Sequence, residues 1–396
     1  MNAPEVFVVS AARTAIGTFG GTLKDTPPSQ LATLTVKAAI ERAGLTPERI
    51  GHVVMGNVIP TDPRDAYLSR VAAMDAGIPK ETPAFNVNRL CGSGLQAIVS
   101  AAQTLMLGDA EIAIGGGAES MSRAPYFLTG ERWGARMGDA IALDYMLGIL
   151  SDPFSKVHMG ITAENVAERE HISREMQDAV ALESQRRAAR AIAEGRFASQ
   201  IIPVEISSRK GPVSFTVDEH VRGDVTAEQL AKMKPTFKKD GGTVTAGNAS
   251  GLNDGAAAVV LATAAAVKAH GLKPLARLVS YAQAGVAPEV MGLGPVPASQ
   301  LALKRAGLSV KDLDVIESNE AFAAQACAVT KLLGLDPAKV NPNGSGISLG
   351  HPVGGTGAII TTKAIYELQR ISGRYALVTM CIGGGQGIAA IFERAN

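Results

Sequence analysis

Two cysteines and one histidine carry the reactive chemistry of this chain. Cys91 stands in Asn88-Arg-Leu-Cys91-Gly-Ser-Gly94, followed by Leu95, Ile98, Ala102 and Leu105 at helical spacing. That pattern predicts a strand-to-helix turn with the thiol near a helix N-terminus. Partial positive charge and free N–H donors there favour the thiolate, the nucleophilic form. A lone free cysteine is more often a packing residue. Flanking glycines, which let a ligand reach the backbone, tilt the balance towards a nucleophile. His351, in Gly344-Ser-Gly-Ile-Ser-Leu-Gly350-His351-Pro352-Val-Gly354, has a backbone restrained by its neighbours and suits a general base for a thiol. Cys381 closes the apolar run Tyr375–Met380 and opens Ile382-Gly-Gly-Gly385. Asn319, in Asn319-Glu-Ala-Phe-Ala323, can orient a water, polarise a carbonyl or cap a helix. Cys327, inside Ala323-Ala-Gln-Ala-Cys-Ala328, reads as packing.

Other chemistries fit less well. Neither Gly triplet shows the GxGxxG pattern opening a helix, and the Gly-rich stretch around Thr356 lacks the GK[ST] ending of a phosphate loop. Three cysteines without CxxC spacing argue against a disulfide framework or a zinc site. Free thiols fit a reducing compartment. A net charge of +1 without a long run of either sign argues against nucleic acid as the partner. Glu5–Val9 reads as a strand rather than a signal peptide, and Glu393-Arg-Ala-Asn396 is not a peroxisomal address. No apolar run reads as a membrane helix. A soluble cytoplasmic protein with no membrane partner is expected.

The elements that must bring these residues together repeat. Ala39–Ile50 reads AIERAGLTPERI and Ala302–Leu313 reads ALKRAGLSVKDL, each a helix end with a Gly C-cap before an apolar strand. Asn86-Val-Asn88 precedes Cys91-Gly-Ser-Gly, as Asn341-Pro-Asn343 precedes Gly344-Ser-Gly. Strands ending in Gly triplets follow, at Ala113–Gly117 and Cys381–Gly385. The second copy runs on into the strand Ile388–Phe392, whose counterpart in the first appears only at Gly255–Leu261. The expected organisation is therefore an N-terminal core half, residues 1–121, completed by 250–270. An inserted loop or lid domain follows over 122–249, and a C-terminal half over 271–396. One clear helix, about Ser173 to Glu194, is expected in the insert. Hydrophobic residues at 46% and aromatic residues at only 4%, with 43 glycines, imply a core of small aliphatic side chains and closely packed helices. Alternating strands and helices imply layered α/β architecture with mostly parallel sheets, the two halves packed face to face.

Over essentially its whole length the chain resembles the thiolase family. The resemblance rests on the signatures at Cys91, Asn319, His351 and Cys381, together with Ser10-Ala-Ala-Arg13-Thr-Ala-Ile-Gly17, Gly115-Gly-Gly-Ala-Glu119-Ser-Met121, His158-Met159-Gly and Gly247-Asn-Ala-Ser250-Gly-Leu-Asn-Asp254. It implies duplicated βαβαβαββ halves forming a five-layered core with an inserted loop domain, usually as a homotetramer, a dimer of dimers. It implies coenzyme A thioesters as substrates and no permanently bound cofactor or metal. By motif, Cys91 becomes the acyl-enzyme, His351 takes its proton and Cys381 acts as acid and base on the second substrate. His351 and a water on Asn319 form one oxyanion hole; the N–H groups of Cys91 and Gly383 form another. Ser250 would contact the pantetheine arm and Arg222 the nucleotide end, with His158 and Met159 bordering the acyl pocket. Phe237, Ala321 and Phe322 join the binding residues. Ser345 and Val353 stand where many short-chain members have Gly and Ile. The sequence most resembles bacterial β-ketothiolases, with acetoacetyl-CoA, and 3-ketovaleryl-CoA after it, as the expected substrate. A broad-chain degradative 3-ketoacyl-CoA thiolase is the alternative. A decarboxylating relative would carry two histidines, and a lipid carrier would be expected to lack Cys91 or His351.

Overall fold

The computed structural model describes residues 4–207 and 211–395; residues 208–210 of the insert and Asn396 of the C-terminal tetrapeptide lie outside them. The first half runs β1 (Val6–Thr14), α1 (Pro28–Arg42), β2 (His52–Gly56), α2 (Leu68–Asp75), β3 (Ala84–Val87), α3 (Ser93–Leu107) and β4 (Ile112–Ser120). The chain then leaves the sheet for the insert. Its main helices are α4 (Met159–Glu170) and α5 (Arg174–Ala193), and Ser173 caps α5 by accepting from the Met176 N–H. Two small antiparallel ribbons, Tyr126–Leu128 with Ala142–Asp144 and Val204–Ile206 with Val213–Phe215, complete it. The chain returns at β5 (Asn253–Thr263). The second half follows as β6 (Ala276–Gly285), α6 (Pro295–Ala306), β7 (Val315–Ser318), α7 (Ala323–Leu333), α8 (Val353–Ile371), β8 (Tyr375–Ile382) and β9 (Gln386–Arg394).

The duplication is visible in the strand order, β7-β8-β9-β6-β1-β5-β4-β2-β3. From the centre outwards, β1-β5-β4-β2 mirrors β6-β9-β8-β7, with β3 an extra edge strand. β2 and β4 are parallel, as are β7 and β8; β5 and β9 run antiparallel to their neighbours. The halves meet in two ways. Their sheets join edge to edge through a ladder of two residue pairs, Phe7 with Arg277 and Val8 with Ala276. Their faces share a middle layer made of α3 and α8. Ile98, Leu105, Ile359, Ile365 and Leu368 from those helices form one core with Val259 and Leu261 of β5 and Val378 and Met380 of β8. α1 and α2 cover the outer face of the first sheet through Leu31, Val36, Ile40 and Leu68. α6 and α7 cover the second through Ala302, Leu303, Val329 and Leu333. The result is five layers, α–β–α–β–α.

Strands buried on both faces need continuous apolar runs, and β4, β5 and β8 are buried along nearly their whole length. Two expectations need correcting. The sheet is not mostly parallel: among these nine strands only β7 with β8, β4 with β2 and β2 with β3 pair in parallel, while β6, β1, β5 and β9 meet their neighbours antiparallel, because β9 follows β8 through a tight turn at Gly383–Gly385 and β5 returns from the insert alongside β4. The second concerns apolar runs. Leu90–Leu107 is long and apolar enough to span a membrane on composition. It is apolar because α3 lies in the middle layer, with a sheet on either side.

Candidate active site

The turn carrying Cys91 is under backbone strain. Leu90, immediately before it, has φ of 45°, a left-handed conformation that a branched side chain adopts only when its surroundings impose it. The surroundings are local. Asn88 Oδ1 accepts from the Leu90 N–H at 3.1 Å, while Ser93 Oγ donates to the Leu90 carbonyl at 2.6 Å and accepts from the Arg89 N–H at 2.8 Å. The thiol is thus held at the entrance of α3.

The start of α3 crosses the start of α8 with backbone against backbone. A Cβ on Gly94 would lie 2.7 Å from the Ala358 nitrogen and 3.0 Å from the Gly354 carbonyl oxygen. Only a residue without Cβ allows that approach. The crossing brings Cys91 beside His351, which sits on the segment leading into α8. Asn253 fixes the approach to that segment: its Oδ1 accepts from the His351 N–H at 2.9 Å and its Nδ2 donates to the Gly17 carbonyl at 3.0 Å. The His351 ring is buried. Nδ1 lies 2.6 Å from Thr356 Oγ1, and Nε2 has no partner within the protein.

Cys381 arrives from the other half at the end of β8, within electrostatic reach of Cys91. The N–H groups of Gly383 and of Cys91 itself are directed at the Cys91 sulfur. The three reactive side chains share a cavity of about 50 Å³, lined also by Val58, Leu90, Ile149, Leu150, Met159, Ser250, Met291, Ala321, Phe322, Val353 and Gly383. Of the family-specific departures, Val353 lies in its wall, whereas Ser345 precedes the short helix Gly346–Leu349, its N–H donating to Ser348 Oγ at 3.2 Å.

Asn319 follows β7 and is anchored to the neighbouring strand by its N–H, which donates to the Thr379 carbonyl at 3.0 Å. It does not cap α7; Phe322 holds that position. Neither atom of its fully buried amide has a protein partner, the signature of a group that takes a water or a ligand.

The remaining expected residues fall into two groups. Ser250, Met159, Ala321 and Phe322 reach the cavity. Ser250 is held there by its N–H, which donates to the Ala321 carbonyl at 3.0 Å. His158 and Phe237 stand one layer behind: their rings stack at 4.6 Å, and Phe237 meets Phe322 edge-on at 6.3 Å. His158 Nδ1 accepts from the Gly160 N–H at 3.0 Å. Arg222 does not reach the cavity; it is exposed on the insert, beside His220. The His220 ring packs on Gly251, next to Ser250. Among the described residues no His, Cys, Asp or Glu cluster is arranged to hold a metal.

Electrostatics correct one expectation. Being near a helix N-terminus does not make Cys91 a resting thiolate. Although the residue keeps partial exposure, desolvation pushes its thiol up to about 11. Burial also raises Cys381 strongly, reinforced by Cys91 beside it. Burial lowers His351 to about 4. Desolvation penalises the charged form of each group, so the resting site holds neutral thiols and a neutral imidazole.

Two further residues support the site, and nothing in the sequence marks the role of either. Glu119, fully buried, accepts from the N–H groups of Val58, Ile59 and Gly354 and from Asn57 Nδ2, at 2.8–3.1 Å. It ties two cavity-wall segments together, and burial pushes its carboxyl up to about 8. In the sequence Thr356 stands out only as part of an incomplete phosphate loop. The pairing of a buried carboxylate with distant backbone donors has no sequence signal.

Comparison with known proteins follows the same lines. The family described as "Thiolase, N-terminal domain" matches residues 6–265, and "Thiolase, C-terminal domain" matches residues 272–394. The chain is 67% identical to "Beta-ketothiolase BktB" of Cupriavidus necator over 390 residues, covering 98% of this chain and 99% of that one. It is 51% identical to "Acetyl-CoA acetyltransferase" of the same organism over 392 residues, covering 98% and 99%. The crystal structure of human mitochondrial 3-ketoacyl-CoA thiolase in complex with CoA superposes with a TM-score of 0.96 at 47% identity, covering 99% of this chain and 98% of that one.

Proposed function

The chain belongs to the thiolase family, and on that premise we propose how its site performs acetyl-CoA C-acyl transfer. The enzyme is an acyltransferase that joins acetyl-CoA to a short acyl-CoA by reversible Claisen condensation. The observation that supports the residue assignment is the meeting of Cys91, His351 and Cys381, drawn from both halves, in one small cavity.

The neutral resting state dictates the order of events. Cys91 passes its proton to His351 Nε2 as its sulfur attacks the thioester carbonyl. The C–S bond to coenzyme A breaks, and the departing thiolate takes a proton from Cys381. Free coenzyme A leaves an acyl-Cys91, an imidazolium and a Cys381 thiolate. Because burial makes Cys381 a strong base once ionised, that thiolate removes an α-proton from the incoming acetyl-CoA. The enolate oxygen is met by His351 Nε2–H and by a water on the unpartnered Asn319 amide. The enolate carbon attacks the acyl group, and the expelled Cys91 thiolate recovers its proton from His351. N–H donors at Cys91 and Gly383 stabilise the tetrahedral states; one such donor contributes roughly 3–4 kcal/mol.

The cavity, of about 50 Å³, is small and walled by apolar side chains, among them Leu90, Met159, Met291, Phe322 and Val353. That room favours two- and three-carbon acyl groups, so acetoacetyl-CoA, and after it 3-ketovaleryl-CoA, are the expected substrates. Comparing thiolysis of four-carbon and long-chain 3-ketoacyl-CoA tests this; a long-chain preference would instead support a broad-chain degradative enzyme. Coenzyme A is placed against the insert, with Ser250 at the pantetheine arm and Arg222 towards the nucleotide. The working form is taken to be a homotetramer in the cytoplasm. Incubation with acetyl-CoA should add one acetyl mass to the enzyme and none to Cys91→Ala. Cys381→Ser should still acylate yet lose turnover; a variant unable to acylate would contradict the role given to Cys381.

A further inference from the structure

We propose that Thr356 is a positioning residue that sets the tautomer of His351, keeping the Nε2 lone pair turned towards Cys91. The proposal rests on the acyl-transfer reading above and adds to it the group that makes His351 a base rather than a donor in the resting enzyme.

Thr356 Oγ1 lies 2.6 Å from His351 Nδ1, and its hydroxyl donates to the Pro352 carbonyl at 2.9 Å. A threonine hydroxyl has one proton and two lone pairs. With that proton on Pro352, the oxygen meets Nδ1 as an acceptor, so Nδ1 carries the hydrogen. The second nitrogen is then unprotonated, and Nε2 is the nitrogen left without a protein partner. A bland reading is available, because threonines in helices commonly return their hydroxyl to the carbonyl four residues back. Thr361 and Thr362 of the same helix do so, to Gly357 at 2.7 Å and Ala358 at 2.9 Å. Thr356 differs because its oxygen also faces a ring nitrogen at close range.

A hydroxyl suits the cycle better than the carboxylate that often backs a catalytic histidine. Nδ1–H is donated to Thr356 in both the neutral ring and the imidazolium, so no tautomer change is needed when Nε2 gains the Cys91 proton. A carboxylate there would hold the proton on the ring by charge, and Cys91 could recover it less readily. Thr356 adds orientation without charge.

Two measurements test this. The first uses the resting wild-type enzyme and needs no substrate: the solid-state 15N spectrum of histidine-labelled protein, with His351 assigned by its loss in His351→Gln. The expected signal has Nδ1 protonated and Nε2 bare; a protonated Nε2 overturns the proposal. The second compares Thr356→Val with Thr356→Ser in single-turnover acylation by acetyl-CoA. Leaving a buried hydrogen-bonding group without its partner is expected to cost roughly 10–100-fold. That loss is expected in the rate of acylation for the valine variant, with the KM for acetyl-CoA unchanged and near-parental rates restored by serine. A folded valine variant that acylates at the parental rate overturns the proposal. Failure of the wild type to acylate at all would count against the parent reading instead, and the spectrum would still report the tautomer.

Discussion

At the residue scale, one physical effect acts on both partners of the nucleophilic pair and moves them apart. Desolvation takes the Cys91 thiol to about 11 and the His351 imidazole to about 4. An unburied cysteine and histidine would instead titrate near 8.5 and 6.5, leaving a changing mixture of states across the neutral range. The two shifts are opposite in sign. Lowering the pH protonates His351 only near 4 and removes the base; raising it ionises Cys91 only near 11. Between about pH 5 and 10 the neutral pair dominates, so the acylation rate measured by quenched-flow mass spectrometry should be flat across that window. A rate rising tenfold per unit around neutrality would show a bulk-titrating thiol and refute the neutral-pair mechanism. Cys91, His351 and Cys381 were legible in the sequence because glycine and proline flank them, which is uncommon for packing residues. The direction of the Cys91 shift was not. The helix terminus is a local feature readable from spacing, while desolvation comes from β8, α8 and the insert closing over the site.

Convergence of the reactive residues depends, at the element scale, on how closely α3 and α8 cross. The neighbours that a Gly94 side chain would meet are backbone atoms of α8, which cannot swing aside as a flexible side chain can. Gly94→Ala should therefore push the helices apart, costing about 1–3 kcal/mol as overpacking does. It should slow acylation further by separating Cys91 from His351. Gly108→Ala is the control. That glycine ends α3 at φ of 85° with nothing near its missing Cβ, so substitution strains the cap without touching the crossing. Thermal midpoints should fall for both, and acylation should fall only for Gly94→Ala; parental acylation there would mean that the crossing does not position Cys91. The Arg-Ala-Gly-Leu repeat located the matched strands β2 and β7, and the glycine triplets located β4 and β8. Helix starts were harder: α8 opens at Val353, inside a glycine run that reads as loop on propensity alone. Tertiary contact with α3 keeps that run helical.

For the whole molecule, two of the open surfaces among the described residues differ in kind. β3 is a sheet edge with Phe85 exposed, and an open edge of paired-strand geometry invites another strand. The ribbon of the insert presents Tyr126, Leu128, Trp133, Met137, Ile141 and Leu143 to solvent, with Met137 98% and Trp133 84% exposed. Apolar groups gathered this closely mark an interface. The edge-to-edge seam between the halves was invisible in the sequence, since two residue pairs carry it, yet it puts β3 at one extreme of the sheet. If each surface pairs with its own copy about a separate twofold axis, the result is a closed tetramer, whereas one such pairing alone stops at a dimer. Light scattering on the eluting protein should then give a mass near four times the 40.9 kDa chain. Replacing Trp133 and Met137 together by serine should release dimers, because β3 is untouched, and those dimers should still form the acetyl-enzyme, because neither residue lines the cavity. A wild-type monomer would remove the case for both surfaces; a variant that stays tetrameric would remove it for the ribbon.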